Sequence, residues 1–124
     1  MPRTLVVFYK DREGNVPVLN WLDRLPPKIQ DKCVVKIERL RELGHELRRP
    51  EADLLREGIY ELRVGRQGTN YRILYFFHRQ VAAVLAHGLI KEREVPAKDI
   101  EKALERKRQF EQAPNTHTYR EGLS

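Results

Sequence analysis

The stretch YELRVGRQGTNYRILYFFH, residues 60–78, constrains this chain more than any other. Apolar residues alternate on both sides of a central Arg-Gln-Gly-Thr, the pattern of two strands joined by a tight turn. Side chains of a strand alternate between the two faces of a sheet, so parity sorts them. Tyr60, Leu62, Val64, Tyr71, Ile73, Tyr75 and Phe77 make one apolar set, and a third run, 81–90, is expected to add Ala82, Val84, Ala86, Gly88 and Ile90. The other set mixes Leu74, Phe76 and Leu89 with Glu61, Arg63, Arg72, His87 and Lys91. With Gln67 and Gly68 as a two-residue turn, Arg63 lies directly across from Arg72, whereas a bulge at Gly68 makes that pair diagonal. With Arg79 and Gln80 as the next turn, Arg72 lies across from His87.

The remaining segments supply partners for the apolar face. Thr4–Tyr9 reads as a first strand. Asn15 is expected to cap a helix carrying Val18, Leu19, Trp21, Leu22 and Leu25, stopped by Pro26 and Pro27. Ile29, Cys33, Val34, Ile37, Leu40 and Leu43 recur at helical spacing before Gly44, a C-terminal stop. Residues 45–58 read as a connecting loop anchored by Leu47, Leu54 and Leu55. Strands follow at Ile59–Val64, Tyr71–His78 and 81–90, then a helix from near Pro96 with Ile100, Ala103, Leu104, Lys107 and Phe110 on one stripe. The order β-α-α-β-β-β-α predicts an α+β fold: an antiparallel sheet with two N-terminal helices packed on one face, and a C-terminal helix. One domain is expected over residues 1–112, and an aperiodic, flexible tail over 113–124.

Charge gives the second face its meaning. Lysine and arginine number 24 against 18 acidic residues, a formal charge of +6 and a pI near 9.7, which suits polyanionic partners. Like charges opposite one another in a sheet are destabilising, on the scale of the roughly 0.2–1 kcal/mol of cross-strand pairs. Two readings follow. Arg63 and Arg72 pair internally with Glu61 and Glu57 or reach solvent; alternatively they hold an anion, for which the guanidinium fork suits phosphate.

Other features exclude classes of function. A single cysteine allows no internal disulfide, and no apolar run approaches the roughly 20 residues of a membrane span. A soluble, cytoplasmic chain without membrane contact is expected. No histidine, cysteine and carboxylate spacing matches a zinc site, so no metal and no cofactor is expected. Cys33 and Trp21 read as core, His45 as a solvated loop residue and His117 as part of the tail. The basic run ERKRQ, 105–109, reads either as an RNA-backbone contact or as a solvated helix face; Arg48, Arg49 and Arg56 are further candidates for a basic footprint.

The segments GIYELRVGRQGTNYRILYFF and VLAHGLIKEREVPAKDIEKALERKRQF resemble the RelE/HigB superfamily of bacterial toxins, particularly its HigB-like branch related to phage proteins. The resemblance runs from the first strand to Phe110. It implies a toxin of a type II toxin–antitoxin system: a ribosome-dependent messenger-RNA endoribonuclease held in check by a helix-turn-helix antitoxin. Family members use no metal; the substrate's 2′-hydroxyl attacks the adjacent phosphate, leaving a 2′,3′-cyclic phosphate and a 5′-hydroxyl. By motif position Arg72 matches the phosphate-clamping arginine, while Arg63 and Lys91 match basic positions. Chemistry adds His87, whose reference pKa of about 6.5 suits proton transfer near neutrality. Arg63, Arg72, His87 and Lys91 are thus the expected catalytic set. Arg66, Arg93, Lys98 and Arg106 are expected to touch RNA, either the message or ribosomal RNA. The chain departs from the pattern at Leu89, Glu92 and Ala97, with Arg93 restoring the charge that Glu92 removes. Two other functions share the fold: a ParE-like gyrase poison, and an inactive module that binds an antitoxin.

Overall fold

The computed structural model describes residues 3–79 and 82–120. Strand β1 (Leu5–Tyr9) leads into helix α1 (Pro17–Asp23) and helix α2 (Pro27–Leu43). Strands β2 (Ala52–Arg56), β3 (Ile59–Arg66), β4 (Thr69–His78) and β5 (Ala82–Lys91) follow, then α3 (Ala97–Gln112), the single turn α4 (Pro114–His117) and the short β6 (Thr118–Tyr119). The fold is α+β, as expected, around a six-stranded sheet in the order β2-β3-β4-β5-β1-β6.

The central hairpin forms where the alternation placed it. Gln67 and Gly68 both adopt positive φ, 50° and 83°, the backbone of a two-residue turn whose twist matches the flanking strands. Arg63 therefore faces Arg72 directly. The next hairpin differs. His78 pairs with Ala82, and a bulge in β5 shifts the register so that Tyr75 faces Leu85 but Leu74 faces His87. Arg72 thus lies across from Leu89, not His87. Part of the expected Arg79–Gln80 turn, together with Val81, lies outside the described residues, but the pairings on either side settle the register.

Pairing of His78 with Ala82, one residue beyond the partner a two-residue turn would give, redistributes the first half of β5. Ala83 and Leu85 join the core under α1 and α2, while Val84 and Ala86 face the other way, opposite to the expected assignment. A one-residue slip moves each side chain to the other face, and the bulge after Leu85 adds a second slip that cancels the first. His87, Leu89 and Lys91 consequently stay on the Arg72 face despite the altered register.

Helices cover both faces. Val18, Leu22, Ile29, Cys33, Ile37 and Leu40 of α1 and α2 pack on Leu62, Val64, Ile73, Tyr75 and Leu85. On the opposite face Ile100, Ala103, Leu104 and Phe110 of α3 pack on Ile59, Leu74, Phe76, Val84 and Ala86. The sheet is mixed rather than antiparallel, because β1 runs parallel to β5. A tight turn dictates antiparallel pairing only between consecutive strands, and β1 is separated from β5 by most of the chain.

Two segments expected to lack structure are ordered. Within the connecting loop, β2 pairs with β3 around a turn at Glu57 and Gly58, both at positive φ. Of its five residues only Ala52 is buried, so the alternation that betrays a strand is missing. Within the expected tail, β6 pairs with β1, and His117 is only 2% exposed. Its ring stacks on Tyr9 at 5.3 Å, and its Nδ1 donates to the Lys10 carbonyl at 2.7 Å. Contacts between residues more than a hundred positions apart leave no periodicity to read. Residues 121–124 of that tail lie outside the described residues.

Candidate functional site

Both arginines of the hairpin project from the α3 side of the sheet, at a margin where α3 leaves polar residues beside its apolar footprint. Between them lies Glu61, 3% exposed. Its Oε1 accepts from Nε of Arg72 at 3.0 Å, and its Oε2 accepts from Nε of Arg63 at 3.1 Å. Arg63 reaches a second carboxylate, Asp53 on β2, at 3.4 Å. Asp53 is also held by Arg49 at 2.7 Å, which keeps its carboxyl below the usual carboxylate range. The like-charge problem posed by the sequence is solved by interleaved carboxylates: one buried glutamate shared by two guanidinium groups.

The two arginines are not equivalent. Arg72 is 7% exposed, and it donates a further bond to the Tyr71 carbonyl at 2.9 Å. Burial pushes its pKa down, against the opposing pull of Glu61. The Arg63 side chain retains 29% of its exposure and is the one open to an incoming anion. Lys91, half-buried at the end of β5, pairs with Asn70 and has no ion-pair partner among the described residues. Because Arg72 faces Leu89, His87 and Lys91 are its two diagonal neighbours on the same face, a spacing of about 7–8 Å between Cα atoms. The four residues expected from parity share this face, through a different register.

His87 belongs to a second network. Its Nε2 lies 2.6 Å from Oδ1 of Asp99 in the first turn of α3, and its Nδ1 lies 3.2 Å from Nη1 of Arg106. A guanidinium can only donate, so Nδ1 carries the lone pair and Nε2–H donates to Asp99. Burial pushes the imidazole pKa below its ordinary value; Asp99 opposes the shift and Arg106 reinforces it. The ring is therefore neutral near pH 7, with its lone pair on Nδ1.

Arg106 does more than contact RNA could explain. Its Nη1 donates to the carbonyl of Ala86 at 2.7 Å, within the bulge, where a ladder partner is lost. Its guanidinium also lies over the Tyr9 ring, 5.6 Å from the centroid, and Tyr9 in turn hydrogen-bonds Gln109. The rest of ERKRQ is similarly engaged: Arg108 pairs with Glu105, and Lys107 donates to the Glu57 carbonyl. Among the other candidates, Arg66 lies on the α2 side of the sheet beside Pro27 and Tyr71, away from Arg63. Arg93 and Lys98 are exposed in the turn after β5 and at the start of α3. Arg56 is tied to Glu57 and Glu101.

Sequence reasoning missed Asp53 and Asp99 as members of the site. Asp53 sat in an unrecognised strand, and the Asp99 contact with His87 spans the junction of α3 and β5. Cys33 is buried, and burial pushes its thiol up to about 12, so it is packed rather than reactive. Among the described residues no group of three histidine, cysteine or carboxylate side chains converges as a metal site, and no helix is long and apolar enough to cross a membrane.

A family model described as "Phage derived protein Gp49-like (DUF891)" matches residues 20–108. That span includes α1 from its second turn onward, the whole β2–β5 sheet, and α3 through Arg108. No curated protein matches the chain.

Proposed function

We propose, on the premise that the chain belongs to the Gp49-like family of phage-derived proteins, toxins of the RelE/HigB-type toxin–antitoxin superfamily, that it is a ribosome-dependent endoribonuclease of messenger RNA. As a toxin of such a system it has a cognate antitoxin; a helix-turn-helix protein is the form we expect. The observation that carries the reading is the cross-strand pair Arg63–Arg72 around buried Glu61, with His87 and Lys91 diagonal to Arg72 on one face.

The roles follow from exposure and charge. Arg63 and Lys91, the more accessible cations, meet the non-bridging phosphate oxygens, where charge accumulates in the transition state. Arg72 holds Glu61, and Glu61 holds the Arg63 fork in place, so Arg72 acts as a positioning residue. Neutral His87 takes the 2′-hydroxyl proton at Nδ1 once that atom exchanges its long Arg106 contact for substrate. Asp99 stabilises the imidazolium that results. The 2′-oxygen bonds to phosphorus, the bond to the 5′-oxygen breaks, and the departing oxygen regains a proton through water. The ribosome-held message supplies in-line alignment.

Brief expression followed by mapping of messenger-RNA ends on translating ribosomes tests this. New 5′-hydroxyl ends that disappear with Arg63→Ala and Lys91→Ala support the reading. Both residues retain exposure, so these variants separate chemistry from folding better than Arg72→Ala does. DNA damage without RNA cuts would instead indicate a gyrase poison, and neither outcome would leave an antitoxin-binding module.

A further inference from the structure

Beyond Leu85, the last residue of β5 in the β1 pairing, the edge of β5 opens toward α1. There a cleft of about 370 Å³ lies between α1 and the β5–α3 junction, floored by His87 and Gly88 and walled by Asn20, Trp21, Arg24 and Arg106. We infer that this cleft is a subsite for one unstacked ribonucleotide of the message, with Asn20 reading the base edge and Arg24 holding a flanking phosphate.

Four observations support the assignment. The cleft reaches His87, the residue diagonal to Arg72 and the proposed proton acceptor, so a nucleotide seated in it lies on the side of the 2′-hydroxyl that His87 would deprotonate. Its volume falls within the roughly 300–1,000 Å³ of small-ligand sites. Gly88 shapes its floor: a Cβ there would come within 2.3 Å of the Trp21 indole, so the absence of a side chain lets the ring lie against the strand. Finally, the polar groups at the mouth are free. Asn20 and Arg24 are exposed and have no side-chain hydrogen bond or ion pair among the described residues. Asn15, by contrast, is tied to Asp11.

The chemistry fits a single-stranded base. A carboxamide offers a donor and an acceptor side by side, which matches a base edge. Unpaired bases are recognised by such edge contacts together with stacking on aromatic rings or guanidinium planes, and the cleft places Trp21 and Arg106 along its walls. The role of this subsite in cleavage rests on the ribonuclease reading; its capacity to bind does not.

Trp21 is the only tryptophan, which makes its fluorescence a local probe. The full chain is titrated with each of the four ribonucleoside 5′-monophosphates. The expected result is a saturable change for at least one, with a Kd below about 1 mM, and a preference among bases. Asn20→Ala should flatten that preference, and Arg24→Ala should weaken all four nucleotides alike by several-fold. Circular dichroism confirms that these surface variants fold. Mapping of cut sites should then show an altered base composition in Asn20→Ala. Absence of saturable binding, or binding indifferent to both substitutions, overturns the inference. Nucleotide binding that meets these criteria without messenger-RNA cuts would retain the subsite and sink the ribonuclease reading; cuts without such binding would do the reverse.

Discussion

The two faces of one sheet are built from the same strands yet do different work. Under α1 and α2 the sheet presents Leu62, Ile73, Tyr75 and Leu85, all fully buried, and packing there is a matter of shape. On the other face α3 covers Ile59, Leu74 and Phe76, and leaves Glu61, Arg63 and Arg72 at its margin. Seventeen residues of α2 together with α1 close the first face; sixteen residues of α3 close only part of the second. The uncovered remainder holds alternating charges in a partly desolvated setting, where each ion depends on its neighbours. A face that is all core tolerates changes according to volume, whereas a charged margin tolerates them according to what is left unpaired.

The largest effect should come from Glu61→Ala. It leaves Arg72 buried without its carboxylate, a loss of about 3–5 kcal/mol in urea unfolding. Ile73→Ala on the opposite face should cost about 2–5 kcal/mol through an empty volume while leaving the residual cleavage pattern intact. A Glu61→Ala penalty below about 1 kcal/mol would mean that the margin is solvated after all, and the contrast between the faces would fail.

Next in size, Arg63→Ala should reduce cleavage about 100-fold or more, the scale of one lost transition-state donor. Its unfolding midpoint should hardly move, since the side chain is half-buried and shares its partners with other cations. Equal losses in activity and stability would reduce Arg63 to a structural ion.

A smaller effect concerns pH. The folded protein holds the His87 pKa below the reference of 6.5, so it favours the neutral ring. The stability that this contributes is present above the unfolded value and is lost as pH falls through the folded value. Nuclear magnetic resonance should find the His87 ring titrating below pH 6.5. Arg106→Gln should move that midpoint upward, because it removes the adjacent cation. An unchanged midpoint would detach His87 from the α3 network.

The smallest expected effect is a control. Val35→Lys, on the exposed outer side of α2, belongs to neither face and should change stability by no more than about 0.5 kcal/mol. A larger change would show that α2 has a partner on its outer side.

Much of this was readable in advance, though unevenly. The Gln67–Gly68 turn and the period-2 pattern offered the direct Arg63–Arg72 pairing against a diagonal one with a bulge at Gly68, and the structure takes the direct one. The turn from Arg79 gave the wrong partner for Arg72, since a longer connection and a bulge each shift a ladder without an audible change in hydrophobic pattern. Asp53 was hidden because an edge strand with one buried residue does not alternate. His117 looked like tail because its burial depends on Tyr9 and Lys10, more than a hundred positions away.

By itself, the order of residues determined the central hairpin, the amphipathic helices and the presence of two arginines on one face, all consequences of local geometry and spacing. Only the tertiary structure decided that Glu61 would be shared between those arginines, that Asp99 and Arg106 would fix the His87 tautomer, and that α1 would leave an opening beside Gly88. Those outcomes depend on where separate elements come to rest, and the energy that places them comes from burial summed over the whole core rather than from any short stretch of chain.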